Sequence, residues 1–179
     1  CLQVTKKNRY RLKIIHCKQQ REYCNWKAEM LNIDKINYIE KNGYSQKEAY
    51  SFNTKCFDLT NEINDSKIVP EIVINNINEK GIAIWFMDDG SIMKRELKNK
   101  TISYFAKISS NNFDYINHLI LVRIFEKWNI IPKIMTCKKY YELHFDKNNT
   151  QKLLDLIMPY IHENLLYKTN NTNNTNNTN

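Results

Sequence analysis

Residues 82–87 read Ile-Ala-Ile-Trp-Phe-Met and form an apolar stretch that ends at Asp88, Asp89 and Gly90. A helix with apolar side chains all round cannot lie on a surface, because one of its faces would meet water. The stretch therefore predicts a buried helix over 81–89, which other elements must cover on every side. This requirement constrains the possible folds more than any other segment of the chain.

The residues before this stretch predict strands and one long helix. Alternating apolar and polar side chains over 1–15, with a turn at 6–8, predict a β-hairpin. Residues 19–32 predict a helix, two more strands are expected within 34–54, and a short helix is expected over 57–63. Helical spacing places Lys27 on the polar side of the long helix. Its expected apolar face consists of Tyr23, Trp26, Met30 and Leu31.

The second half repeats the same order of elements. A hairpin with its turn at 97–100 follows the apolar stretch, and an amphipathic helix is expected over 112–128. A second hairpin turns at Lys138 and Lys139, and a last helix is expected over 150–157. The second strand of the first hairpin alternates Ile102, Tyr104, Ala106 and Ile108 with Thr101, Ser103, Phe105 and Lys107. The amphipathic pattern of the helix consists of the apolar residues Ile116, Leu119, Ile120, Ile124 and Trp128, together with Arg123.

This repetition predicts the fold class and the domain organisation. We expect an α+β protein with antiparallel sheets, built as a pseudo-twofold pair of αββαββα repeats. The first repeat covers 1–79 and the second covers 80–168. The first repeat lacks a counterpart of the 81–89 helix. Residues 169–179 contain only Thr and Asn, and we expect them to be disordered because they have no apolar side chains to bury.

Composition narrows the class of partner. The net charge is +8 and the pI is near 9.2. A basic chain of this kind is expected to bind a polyanion, either nucleic acid or an acidic membrane surface. The alternative is that the lysines only form a solvated surface. No window has the ~20 consecutive apolar residues that span a bilayer, so we expect no membrane partner. The abundance of Asn, Lys, Ile and Tyr indicates AT-rich codons and an organellar genome, such as that of a mitochondrion.

Asp88 and Asp89 are the first candidates for chemistry. Acidic groups at a helix C-terminus oppose the helix dipole, and two adjacent carboxylates repel one another. A divalent cation would relieve both effects, because hard carboxylate oxygens suit Mg²⁺ or Ca²⁺. The alternative is a polar turn before Gly90, since Asp-Gly is common in turns. No histidine shows metal-ligand spacing, and the three tryptophans are expected in the core.

The stretch from Gly81 to Gly90 resembles the second signature helix of LAGLIDADG homing endonucleases, in the branch that writes it Trp-Phe-Met-Asp-Asp-Gly. The order of elements resembles that family over about residues 1–168. The resemblance implies that two signature helices pack at a pseudo-twofold axis, beneath saddle-shaped sheets that cover the DNA major groove. It implies that Asp89, just before the final Gly, binds Mg²⁺ or another divalent cation at a scissile phosphate. Asp88 takes a supporting role.

The resemblance also places a lysine near each active centre. Lys67 and Lys168 match those places, where a lysine stabilises phosphate charge or helps to polarise the attacking water. The implied activity is hydrolysis of one phosphodiester on each strand of double-stranded DNA by an intron-encoded monomer.

The strands are expected to contact the DNA. Arg and Gln side chains read guanine and adenine edges, whereas turn lysines touch phosphates. A solvated sheet face is the alternative for any single residue. The candidates are Gln3, Thr5, Arg9, Arg11 and Lys13 in the first half, Thr101, Ser103 and Lys107 in the second, and the turn lysines Lys7, Lys98, Lys138 and Lys139.

The resemblance places the first signature helix directly before Cys1. We expect the natural protein to have about 15–30 further N-terminal residues, the length of a buried helix with its lead-in. Without that helix, a two-strand break is not expected. Two other functions remain open. One is an intron maturase that binds RNA, and the other is a DNA-binding remnant without catalysis.

Overall fold

The computed structural model of the chain describes residues 2–4, 9–41, 47–56, 68–96 and 99–169. The chain divides into two compact units, Cys1–Asn61 and Glu62–Asn179. No helix in this described part is both long enough and apolar enough to cross a bilayer. Three predicted segments lie outside the described residues: the turn at 6–8, the helix over 57–63 and residues 170–179 of the tail.

The first unit contains a four-stranded antiparallel sheet. Its strands are ordered β1-β2-β4-β3, and α1 follows β2 after a 3-10 turn at Lys18–Gln20. The predicted hairpin is confirmed, because Leu2 pairs with Leu12 and Gln3 with Arg11. The elements are β1 (Leu2–Val4), β2 (Tyr10–Cys17), α1 (Arg21–Met30), β3 (Asn37–Ile39) and β4 (Ala49–Asn53).

Helix α1 buries only part of the predicted face: Tyr23 is buried as expected, Trp26 and Met30 are half-buried, and Leu31 is not buried. Tyr23, Cys24 and Ala28 are buried, and Cys24 and Ala28 pack with Phe52 of β4. The prediction that Lys27 lies on the polar side is wrong, because Lys27 is only 6% exposed and its ammonium lies 4.5 Å from the centre of the Tyr23 ring. Leu31, predicted to be apolar and inward, is exposed. Small side chains at positions 24 and 28 let the helix approach the sheet closely, and apolar spacing alone did not identify that face.

The second unit repeats the sheet. Its strands are ordered β5-β6-β8-β7, the same order as in the first unit, so the predicted α+β class with antiparallel sheets is confirmed. Helix α2, which begins after Pro70, was not predicted. The elements are α2 (Glu71–Asn76), α3 (Glu79–Asp89), β5 (Gly90–Glu96), β6 (Ile102–Ser109), α4 (Tyr115–Glu126), β7 (Lys133–Cys137), β8 (Tyr140–His144), α5 (Lys147–Ile157) and 3-10 turns at Met158–Tyr160 and Glu163–Thr169.

Helix α3 is the apolar helix expected from the sequence, but within the described residues it is not covered on every side. Its side chains Ile82, Ala83, Phe86 and Met87 are buried, whereas the neighbouring apolar positions 84 and 85 are half-buried. Burial of one large apolar side chain contributes roughly 1.5–3 kcal/mol, so this helix belongs to the main core of the unit. The rest of that core comes from the strands, the residue just after β8, α4 and α5, and includes Ile108, Phe125, Leu143, Phe145, Leu153 and Ile157.

Helix α4 also buries only part of the predicted face, because Ile124 is buried as expected but other members of that face are not. Ile116 is 63% exposed and Leu119 is 43% exposed, although both were expected in the core. Asn117 and His118 are buried instead, because each has polar partners. Asn117 accepts a hydrogen bond from the Val69 backbone N–H at 2.8 Å. The two ring nitrogens of His118 lie 2.7 Å from the Ser110 hydroxyl and from the Asp114 carbonyl oxygen. A polar residue that finds partners can therefore displace an apolar one from the core.

Each unit uses a threonine hydroxyl to complete its central strand. The Leu12 backbone N–H donates to Oγ1 of Thr54 at 2.9 Å, and the Ala106 backbone N–H donates to Oγ1 of Thr150 at 2.8 Å. In each unit the same strand residue also accepts a backbone hydrogen bond, with Thr54 as donor in the first and Phe145 in the second. This correspondence aligns Leu12 with Ala106, and therefore Lys13 with Lys107.

Helices α1 and α4 end in the same way. Asn32 and Asn129 adopt left-handed backbone conformations, with φ angles of 52° and 53°. Asparagine tolerates this conformation better than most residues, and it closes a Schellman motif in which the next amide donates back into the helix. The closing bonds run from Ile33 N–H to the Ala28 oxygen at 2.9 Å and from Ile130 N–H to the Phe125 oxygen at 3.2 Å.

We predict that Asn129→Ala destabilises the chain by about 1 kcal/mol, because alanine adopts the left-handed conformation at a cost of ~1–2 kcal/mol. Asn129→Gly should stay within about 0.5 kcal/mol of the wild type, since glycine adopts that conformation freely. Urea unfolding of both variants measures the two changes. Equal losses for Ala and Gly would contradict the prediction and would assign the effect to the side chain of Asn129.

Candidate functional site

The candidate acidic residues lie at the C-terminal end of α3. Asp88 and Asp89 are its last two residues, and both are exposed, whereas Phe86 and Met87 just before them are buried. The buried part of the helix fixes where these carboxylates emerge. Because the C-terminus of a helix carries a partial negative charge, both carboxylates stand in an unfavourable field that a cation would offset.

Lys168 supplies a cation at this helix end. Its Nζ donates to the backbone oxygen of Met87 at 2.6 Å and to that of Asp88 at 3.1 Å. The last carbonyls of a helix have no partner within the helix, so the ammonium satisfies them as a hydrogen-bond donor. Its positive charge also interacts favourably with the negative end of the helix dipole. Buried Leu165 anchors the 3-10 turn that carries Lys168. The structure thus joins Lys168 to the helix that carries Asp89, whereas Lys67 lies outside the described residues.

We predict that Lys168→Met lowers the free energy of unfolding by about 1.5–3 kcal/mol, the usual range for hydrogen bonds from a charged group. Methionine keeps a similar stem but cannot donate to the two carbonyls. Lys168→Arg should lose less than half of that amount, because arginine keeps the charge and the donors. Chemical denaturation compares the variants, and a Met variant as stable as the wild type would contradict this interpretation of the contact.

Gly90 allows the chain to turn from α3 directly into β5. A Cβ atom at this position would lie 2.3 Å from Cδ2 and 2.5 Å from the carbonyl oxygen of Phe86. The backbone φ of Gly90 is −85°, so the need for glycine comes from space and not from φ. Any side chain here would push Phe86 or move the end of the helix that carries Asp89.

Gly90→Ala should therefore destabilise the chain by about 1–3 kcal/mol, as other overpacked positions do. Gly81→Ala is the matched control in the same helix, because its Cβ would meet side chains and no backbone atom, with Ile77 at 3.0 Å and Oδ1 of Asn78 at 3.6 Å as its nearest neighbours. Thermal unfolding followed by circular dichroism should show a clear loss for Gly90→Ala and a much smaller change for Gly81→Ala. Similar losses at both positions would show that the Phe86 contact is not the cause.

The N-terminal end of α3 is also held. Asn78 caps it by accepting from the Gly81 N–H at 3.0 Å. The indole N–H of Trp128 donates to Glu79 Oε1 at 2.9 Å, and Lys127 donates to the carbonyl of Ile77. The pKa of Glu79 is lowered by its own backbone N–H and by the Trp128 hydrogen bond. The prediction that Trp128 belongs to the core is replaced by this half-buried anchoring role.

The polar row predicted on the first sheet is present. Gln3 and Arg11 are cross-strand neighbours, and the Arg11 Nε–H donates to Gln3 Oε1 at 3.0 Å. Lys13 follows on the same side of β2, because strand residues two apart share a face. Arg9 lies just before the strand and donates to the carbonyl of Cys56 at 3.0 Å. Thr5 and Lys7 lie outside the described residues.

The residues predicted to contact DNA from the second sheet differ in their exposure. Lys107 lies on the side of β6 opposite buried Ala106 and Ile108, and Thr101 is exposed before that strand. Ser103 was predicted to contact DNA, but it is 3% exposed, so the structure does not present it to a ligand. Lys138 and Lys139 form the exposed turn between β7 and β8, as predicted. Lys98 lies outside the described residues.

Several residues on this face of the second sheet were not identified from the sequence. Strand register places Arg95, Lys133 and His144 on the same side as Lys107. They help to line a cavity of about 550 Å³. Two-residue alternation in the last hairpin, where Lys133 precedes Met135 and Glu142 precedes His144, was the available signal. The cavity is also lined by Met93, Phe105 and Met135.

The donor chemistry at the end of α3 fits a hard divalent cation. Asp88 and Asp89 offer exposed carboxylate oxygens in a field that already favours positive charge. Among the described residues no group of three or more His, Cys, Asp or Glu side chains could hold a metal ion.

Comparison with known proteins places the chain in a family. A model described as the LAGLIDADG DNA endonuclease family matches residues 1–153. The chain is 26% identical over 159 residues to cytochrome b mRNA maturase bI2 of Debaryomyces hansenii, covering 83% of this chain and 55% of that protein. It is 29% identical over 140 residues to probable intron-encoded endonuclease 1 of Wickerhamomyces canadensis, covering 73% and 60%. The chain thus spans little more than half the length of these two relatives.

Solved structures share the fold. The homing endonuclease I-WcaI bound to its DNA recognition sequence matches with a TM-score of 0.76 and 20% identity, covering 94% of this chain and 79% of that chain. The LAGLIDADG meganuclease I-AabMI bound to uncleaved DNA matches with a TM-score of 0.56 and 12% identity, covering 90% and 79%.

Proposed function

The chain belongs to the LAGLIDADG DNA endonuclease family, and on that premise we propose that it acts as an intron-encoded, site-specific endonuclease. It would bind double-stranded DNA and hydrolyse phosphodiester bonds with a divalent cation, Mg²⁺ or a similar ion. The observation that carries this proposal is the joining of Lys168 to the helix end that bears Asp88 and Asp89. At the end of a buried helix, the two carboxylates could bind a divalent cation and the ammonium could contact the phosphate that this cation holds.

Each of these residues has a proposed task. Asp89, with Asp88 in support, would hold the divalent cation, which when bound supplies positive charge for the phosphate and makes a water more acidic. Lys168 would stabilise negative charge that develops on the phosphate oxygens. Its contacts with the Met87 and Asp88 carbonyls hold the ammonium in place before DNA arrives, so little reorganisation is needed. Lys67 remains a proposed counterpart of Lys168.

The open faces of the two sheets would contact the DNA. Arg11 is oriented by Gln3, and a planar guanidinium held this way suits bidentate contact with guanine. Lys13 and Lys107 occupy corresponding positions in the two sheets, which supports a shared role. Lys138 and Lys139 would contact phosphates from their turn. The remaining proposed contacts are Thr5, Arg9 and Thr101. Ser103 is not among them, because it is buried.

We propose that residues 1–79 and 80–168 are two structural repeats in one monomeric protein. The identical strand order in the two sheets supports this division, as do the paired threonine hydrogen bonds. A mitochondrial location is proposed as well, because one relative is named a cytochrome b mRNA maturase and another an intron-encoded endonuclease.

Asp89→Asn tests the nuclease proposal. Asparagine keeps the shape but removes the charge. In a protein that carries both signature helices, cleavage of intronless target DNA with Mg²⁺ should therefore fall by about 100-fold or more, because losing a residue that only orients a metal ligand already costs roughly 10–100-fold. Binding of the same DNA without cleavage should stay within about threefold of the wild type, because a single charge at the cation site adds little to affinity. Asp88→Asn is the matched control and should lose less activity. Unchanged cleavage by Asp89→Asn would overturn the assignment.

A second candidate function is that of an RNA-binding maturase that helps its host intron to splice. It is favoured by the similarity to cytochrome b mRNA maturase bI2 over 83% of this chain. Splicing of the host intron in vitro separates the two functions. A wild-type chain that accelerates splicing but cuts no DNA would favour the maturase, and splicing activity would then survive Asp89→Asn. A chain that binds DNA but neither cuts nor splices would be a DNA-binding remnant.

A further inference from the structure

A charged cluster lies on the open face of the second sheet. Lys107 of β6 stands directly across from His144 of β8. The Lys107 Nζ lies 3.4 Å from Oε1 and 3.3 Å from Oε2 of Glu142, and Nε2 of His144 lies 3.2 Å from the same Oε2. The Glu142 side chain is 8% exposed, whereas those of Lys107 and His144 are 29% and 27% exposed. Two donors therefore cover a buried carboxylate.

Glu142 is charged in spite of its burial. Burial raises its pKa, but the hydrogen bond from His144 and the nearby charge of Lys107 outweigh that effect and leave the pKa below its ordinary value. A buried carboxylate is costly unless it is paired, and this one is paired. It nevertheless places a negative charge on a face that is proposed to meet polyanionic DNA. General attraction to phosphates does not account for Glu142, whose carboxylate holds the side chains of Lys107 and His144 beside it.

We propose that Glu142 is a specificity-determining residue, which positions the Lys107 ammonium to read a base edge in bound DNA. This inference rests on the proposed DNA-binding function. A lysine ammonium has three N–H donors and no acceptor. Two contacts with Glu142 leave a donor that can point away from the sheet. Fixing a long, flexible side chain in this way removes rotamer freedom before binding, which makes a single contact more selective.

The chemistry of a fixed donor predicts which base it favours. Guanine presents two acceptors, N7 and O6, in the major groove, whereas cytosine presents an amino donor that would face the ammonium unfavourably. Lys107 held by Glu142 should therefore favour guanine at one position of the target. Arg95 and Lys133 flank the cluster around the adjacent cavity, and the apolar side chains of Met93 and Phe105 line it. This arrangement leaves room for a base edge beside the cluster.

Direct reading by Glu142 is less consistent with the structure. A carboxylate can accept from the cytosine amino group. Glu142 would have to give up two partners and emerge from 8% exposure to do so. Lys107 already lies between it and the solvent with more than three times that exposed fraction. The geometry points to the lysine as the contacting residue and to Glu142 as its support.

The test compares base preferences of the 179-residue chain and its variants. Duplexes that the wild type binds are first selected from a random-sequence DNA pool in Ca²⁺ buffer. A panel with every single base-pair substitution of the selected duplex is then titrated with each protein. Glu142→Gln keeps shape and hydrogen-bonding capacity but releases Lys107. Glu48→Gln in the first unit is the matched control, because it removes the same charge from another lysine–glutamate pair, Lys18–Glu48 at 2.7 Å.

The expected result is local. Glu142→Gln should lower discrimination at one base pair, or at two adjacent ones, by about tenfold, the size of one good base contact. Preferences elsewhere should be kept, and non-specific affinity should rise or stay unchanged because a negative charge is lost. Lys107→Gln should lower discrimination at the same base pair, and the double variant should lose no more than either single one. Glu48→Gln should change no preference.

The other outcomes overturn the proposal. Unchanged base preferences in Glu142→Gln, or losses at different base pairs in Glu142→Gln and Lys107→Gln, would remove the positioning role while leaving DNA recognition intact. If Glu142→Gln changes the preference for cytosine at a base pair and Lys107→Gln does not, Glu142 itself contacts that base. A wild type that enriches no sequence from the pool would refute site-specific DNA binding itself, and the inference with it.

Discussion

Buried helix α3 delivers two carboxylates to a surface, and the contact between Lys168 and the end of this helix makes that arrangement tolerable. The ammonium satisfies backbone oxygens of Met87 and Asp88 at 2.6 and 3.1 Å. Without it, acidic side chains, unpaired carbonyls and the negative helix end would coincide in one place. The N-terminal end is held by Trp128 and Glu79. The helix that bears the candidate metal ligand is thus anchored at both ends, as positioning of a reactive group requires.

The two units solve the same structural problem with related devices. Their sheets have the same strand order, and their central strands are completed by Thr54 and Thr150. The helices that follow their first hairpins, α1 and α4, end at Asn32 and Asn129. The open faces, in contrast, carry different side chains. The first presents Gln3 and Arg11 as a hydrogen-bonded pair, whereas the second presents a lysine and a histidine over a buried glutamate. Such a division suits a scaffold that is kept while the surface that recognises a sequence varies.

Much of the fold was predictable because alternation and turn residues are local signals. The hairpins, the long helices and the buried helix ending at Gly90 were all expected, and the structure confirms them. The inward faces of α1 and α4 were expected only in part, with Tyr23 and Ile124 buried as predicted. Lys27, Asn117 and His118 are buried because particular partners or aromatic neighbours receive them, and Ile116 and Leu119 remain exposed. The spacing of apolar residues identifies the most apolar face of a helix. Which face is buried also depends on the shape of the side chains and on the hydrogen-bond partners that the core offers.

The sequence by itself determined the family and most of the order of elements, and it made Asp89 the candidate metal ligand, because a short motif with its terminal glycine needs no distant residue to be recognised. Only the tertiary structure decided that Lys168 reaches the helix end, that Ser103 is buried and that Glu142 lies beneath Lys107 and His144. Each of these facts depends on residues far apart in the chain, 81 positions in the case of Lys168 and Met87. Contacts of that kind are set by the register of strands and the packing of turns, which no local pattern encodes.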